Sequence, residues 1–179
     1  MTDTDTIESP VARAGEHLFQ YAIDRDEMKL ILDALPLPVP EKRVALVYEI
    51  QLLRIISVGW AITYHLADNS LKTPLGQQYW ENVRSFSSTL STSASLTTGA
   101  DIDYFDIIKQ RLELYVNALD AAGKISEPAM AIGPAFAQAC GDKDDACAVL
   151  AGSKMFQVAV NAVREYLDEA LTQQDHRDD

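Results

Sequence analysis

Basic side chains are scarce in this chain: 15 Lys+Arg stand against 27 Asp+Glu, a formal charge of -12. Sequence-independent affinity for a phosphate backbone comes from Lys and Arg displacing counterions, so neither DNA nor RNA is expected as a partner. The same deficit argues against an anionic membrane surface. Histidine is rarer still, with three copies at His17, His65 and His176. They stand in no metal-ligand spacing, and the Glu-x-x-His pairs of a dinuclear carboxylate bundle are missing, so no metal and no cofactor is expected. The two cysteines, Cys140 and Cys147, form no CxxC or Cys/His pattern. In a reducing compartment they are expected as unbridged thiols.

Other absences narrow the class further. No GxSxG elbow, GxxxxGK[ST] loop or GxGxxG turn occurs, which leaves catalysis without a motif and the reading inclined away from an enzyme. The first residues, MTDTDTIESP, have neither the basic nor the apolar region of a secretory signal, so a cytoplasmic location is expected. No long apolar run is free of polar interruption. Val44 to Ala67 is long enough to span a bilayer, yet it carries Glu49, Gln51, Arg54 and His65. A charge near a membrane centre costs about 3 kcal/mol, and a central bundle helix is the better expectation. Glycine (8) and proline (7) are also few among 179 residues, below their usual combined share of about 12%. Ala and Leu outnumber Val and Ile, which favours helix over sheet.

What is present fits one all-α domain: an antiparallel helical bundle of four to five long helices plus a short broken helical element. Residues 1–9 read as a disordered acidic N-terminus, 10–172 as the bundle and 173–179 as a polar frayed tail. Ser9 before Pro10 marks the first helix start, and helical spacing of Leu18, Tyr21, Met28 and Leu32 carries that helix to residue 35. After the PLPVP connector a second helix covers 41–67. It is apolar on two opposite sides, so it is expected to be the most buried. Thr73 and Pro74 mark a third helix, 74–96, whose Ser/Thr-rich segment 85–98 weakens the pattern. Asp101 caps a fourth helix ending at Gly123. Gly133-Pro134 is expected to break the element from 128 to 140, and a last helix follows from 143 to 172. The acidic clusters around Asp103 and Asp144 lack the glycine and glutamate of a calcium loop and read as helix caps.

One polar constellation stands out on the helical wheel. Glu49 projects with Leu53, Trp60 and Tyr64, and Arg25 lies in the stripe of Leu18, Tyr21, Met28 and Leu32. A hairpin about PLPVP places the two charges at nearly equal height. The functional reading is a ligand-binding centre at Arg25 and Glu49, in a pocket lined by Tyr21, Trp60, Tyr64 and Tyr79. The plain structural reading is a buried ion pair that fixes helix register. Arg43, Gln51, Arg54 and His65 form a second polar seam with no chemical role assigned.

Two functions follow. The first is a non-catalytic acidic bundle that binds another protein or self-associates, of adaptor, chaperone or inhibitor type, through the last helix or the Ser/Thr-rich helix. The alternative is a small-molecule-binding bundle or enzyme using Arg25 and Glu49. A pocket of at least about 300 Å³ beside that pair would favour the alternative, and a closely packed interior the first. A third idea, acidic mimicry of nucleic acid, requires carboxylates gathered on one face.

Overall fold

The computed structural model describes residues 9–34, 40–123 and 127–175, and among them there are seven helices and no strand. They are α1 (Pro10–Ile23), α2 (Arg25–Asp33), α3 (Pro40–His65), α4 (Lys72–Thr98), α5 (Tyr104–Ala122), α6 (Ala129–Ala139) and α7 (Ala146–Asp175). The terminal residues 1–8 and 176–179, and most of the PLPVP connector, lie outside the described residues. The fold is an all-α bundle in which α3 and α4, and likewise α6 and α7, run antiparallel. Tyr79 on α4 meets Ile55 on α3 while Phe86 and Leu90, further on, meet Leu52 and Tyr48. On α6 and α7, Gly133 faces Val149 and the earlier Ala129 reaches the later Ser153.

α3 is the axis, and each of the other six helices touches it. Ile50, Leu53, Val58, Ala61 and Ile62 are completely buried along its length, as its two apolar sides require. Among the described residues, two helices are long and apolar enough to cross a membrane by length and composition, Arg43–His65 and Ala146–Leu171. The first of these is this buried axis.

Several boundaries depart from the sequence expectation, each for a local reason. The first helix is two helices, because Asp24 adopts an extended conformation (φ -62°, ψ 124°) and its carboxylate accepts from the Asp26 amide. Asp24 therefore ends α1 and caps α2, with Asp26 and Glu27 at the positive end of the new dipole. α4 starts at Lys72 with no side-chain cap, leaving Thr73 and Pro74 inside its first turn. Asp103, not Asp101, caps α5 by accepting from the Asp106 amide. α7 starts later than expected, where Asp145 accepts from the Cys147 and Ala148 amides, and it runs on to Asp175.

The element around Gly133-Pro134 is one continuous helix with proline inside it. An interior proline costs about 3 kcal/mol in an isolated helix, and here the offset comes from close packing on α7. Gly133 and Gly152 bring the two backbones together, Phe136 and Ile132 are buried in the seam, and Ser153 Oγ donates to the Ala129 carbonyl at 2.9 Å. A Cβ on Gly133 would stand 2.8 Å from the Val149 carbonyl oxygen, and one on Gly152 would stand 2.6 Å from Phe136 Cγ. Gly76, in α4, has open space around it. Gly133→Ala is therefore expected to destabilise the fold by about 1–3 kcal/mol, whereas Gly76→Ala should stabilise it by about 0.5–1 kcal/mol. Urea titrations of the two variants beside the parent check the opposite signs.

Candidate functional site

The ion pair expected between Arg25 and Glu49 does not form. Arg25 begins α2 just after the Asp24 break, and the break turns it outward, where it is exposed at the edge of a groove of about 80 Å³ with Tyr48, Leu52 and Leu90. The hairpin register is also different. Arg43 reaches Asp33 at 3.1 Å and Arg54 reaches Glu27 at 2.8 Å, so the residue opposite α2 is Arg54.

Glu49 is 5% exposed, and its partner is Arg111 on α5. Both carboxylate oxygens accept from the guanidinium, from Nε at 2.8 Å and from NH2 at 2.7 Å. This two-point fork is the strongest common geometry for such a pair. Donating these hydrogen bonds to Glu49 raises the Arg111 pKa against the opposing effect of burial. Around the fork lie Tyr115, whose buried hydroxyl has no hydrogen-bond partner among the described residues, and the Cys140 thiol. Burial first, and the Glu49 charge second, push Cys140 from 9.0 up to about 12 and move Tyr115 up as well. Both stay protonated at neutral pH, so neither is an activated nucleophile.

Arg54, assigned no role from the sequence, is the most deeply buried charge among the described residues, at 1% exposed. Its NH2 donates to Glu27, its NH1 donates to the Asp24 carbonyl at 3.1 Å, and its guanidinium carbon lies 4.3 Å from the centre of the Tyr21 ring. Glu27 is half exposed, so the pair is buried at one end and wet at the other. Burial raises the Tyr21 hydroxyl from 10.0 to about 12, with Arg54 opposing and Glu27 assisting.

The four aromatic residues expected to share a pocket are dispersed. Tyr21 covers Arg54. Tyr79 is wholly buried and donates to the Ile55 carbonyl at 2.7 Å. Trp60 and Tyr64 stack on each other at 4.7 Å, and Trp60 also packs on Phe156. Tyr64 is 59% exposed. Beside Trp60, a depression of about 190 Å³ is formed with Val116, Leu119, Gly123 and Pro128. No three His, Cys, Asp or Glu side chains converge on a metal-sized centre among the described residues. Cys140 and Cys147 are thiols rather than a disulfide.

Comparison with known protein families, with characterised proteins and with solved structures found no match. The chemistry of the chain rests on its own geometry.

Two signals in the sequence pointed to the true partners. Arg54 sits between Leu52-Leu53 and Ile55-Ile56, so no outward side was open to it. Arg111 is three residues after Ile108 and four before Tyr115, the two buried residues of α5, and so lies on their stripe.

Removing Arg111 strands a carboxylate that has little contact with water, whereas removing Glu49 strands an Arg111 side chain that is 26% exposed. Arg111→Met is therefore expected to cost about 3 kcal/mol and Glu49→Leu distinctly less, with the double replacement milder than Arg111→Met alone. A double-mutant cycle in urea measures all three. The raised pKa values give a second expectation. Cys140 and Tyr21 are neutral in the fold up to about pH 12, but ionise near 9.0 and 10.0 once exposed. Their contribution is full below those lower values and is lost as pH rises through the higher ones. Unfolding free energy should fall from about pH 9 upward, and Cys140→Ala should flatten the onset.

Proposed function

We propose that this protein is a non-catalytic, acidic helical-bundle protein that binds another protein or a second copy of itself, as an adaptor, chaperone or inhibitor does. The observation that carries the reading is the stack of half-buried Trp60 on exposed Tyr64, beside the depression edged by Val116, Leu119 and Pro128. Aromatic side chains with large exposed area and few rotatable bonds dominate protein interfaces energetically. Here Trp60 is held rigid from beneath by Phe156.

The interior supports the same reading. Glu49 and Arg54 are both engaged by neighbouring helices, and Arg25 stands exposed on the surface away from Glu49's partner Arg111. The alternative centre at Arg25 and Glu49 therefore has no support from geometry. The face lies on α3, α5 and α6, rather than on the last helix or the Ser/Thr-rich segment. In the latter, hydroxyls such as those of Thr89, Thr92 and Thr98 donate to carbonyls of their own helix. A cytoplasmic location belongs to this proposal.

The test is a photo-crosslinking amino acid placed at position 64 in cells that make the protein, together with sedimentation of the purified chain. Crosslinks to one protein or to a second copy are expected, and they should vanish when Val116→Lys is added while thermal stability stays within about 1 kcal/mol. Crosslinking at position 64 no stronger than at exposed Glu113, combined with a monomer at all concentrations, overturns the proposal.

A further inference from the structure

A cavity lies away from both buried ion pairs, at the end of the bundle where α1 begins, α3 turns into α4, and α7 ends. It is about 360 Å³, within the range of small-molecule sites. Its floor is a set of leucines from three elements, Leu66, Leu71, Leu75, Leu167 and Leu171. Val11 and Ala14 of α1 and Ala170 of α7 make up its walls.

The polar groups stand together along one edge. Arg13 and His17 are four residues apart on α1 and so share a face, and His17 stacks on Tyr166 of α7 at 4.6 Å with the rings 13° from parallel. Arg13 is near enough to the Tyr166 phenol to oppose the rise that burial produces there. Among the described residues, no acidic side chain lines the cavity, in a chain with 27 Asp+Glu. Arg13 forms no ion pair with a described residue. The site thus combines an apolar chamber with a single full positive charge at its edge, on a protein whose overall charge is strongly negative.

We propose that this cavity binds a single-chain amphiphile with a monoanionic head group, of the fatty-acid class, its chain among the leucines and its carboxylate at Arg13 and Tyr166. A cation is excluded by Arg13. A purely apolar ligand leaves the Arg13 edge unused, and a polyanion meets only one full charge. The site is separate from the Trp60–Tyr64 face, so it stands or falls independently of the interaction proposed there.

The experiment is titration of the full-length chain with sodium decanoate, followed by calorimetry and by amide chemical shifts. Saturable binding is expected, with shifts centred on Ala14, Leu75 and Tyr166. Decanol should bind about tenfold more weakly and decyltrimethylammonium more weakly still. Arg13→Gln should weaken decanoate about tenfold and leave decanol unchanged. Ala170→Phe, which fills the chamber, should abolish both. Arg13 is exposed, so Arg13→Gln keeps the test decisive even if Ala170→Phe folds poorly. Absence of saturable binding, as when a terminal segment or a second copy occupies the cavity, overturns the proposal. So does equal affinity for all three amphiphiles, or decanoate binding untouched by Arg13→Gln.

Discussion

A helix that is apolar on two opposite sides must be covered on both, and α3 imposes that condition on every other element. Neighbours have to surround it, and whatever polar groups it carries into the interior have to be met by them. Two charges travel inward with it. Arg54 is met from the α1–α2 side and Glu49 from α5. The pairs lie on different flanks of one helix and involve different partners, so each sets a separate register.

Such pairs add little net stability compared with well-packed apolar substitutes, while losing one partner is costly. Their value here is directional. Leucines on α3 would pack against α5 at several heights, but a two-point carboxylate–guanidinium fork closes at one. The same reasoning explains why Arg54 spends a donor on a main-chain carbonyl. The Asp24 carbonyl at the end of α1 is bonded by Arg54 NH1, so the side chain that fixes the hairpin also supports the bend in it.

Fold class, the central position of the second long helix and the stop at Gly123 were legible because each follows from periodicity or from one residue's backbone preference. The candidate centre was only half legible. Wheel geometry identified Glu49 as inward-pointing, but pairing it with Arg25 assumed a straight first helix and a register counted from the connector. Asp24, followed by Asp26 and Glu27, is a helix-start signature that contradicts the straight helix. Gly133-Pro134 misled in the opposite direction, since a breaker signal within the chain was outweighed by packing against Val149, Gly152 and Ser153 of α7, fifteen or more residues away along the chain. Partner choice across helices depends on tertiary register, which no local pattern contains.

The bend at Asp24 has a dynamic consequence. α2 has nine residues, below the length at which a helix holds together alone in water, and it buries only Met28 and Leu32. α1 is longer and buries twice as many residues. The segment beyond the bend is thus a small cooperative unit of its own, attached by Met28 and Leu32, the partly buried Ile31 and the guanidiniums of Arg43 and Arg54. Its amides exchange with solvent through a local opening that leaves α1 and the axis in place, at a free energy well below that of global unfolding.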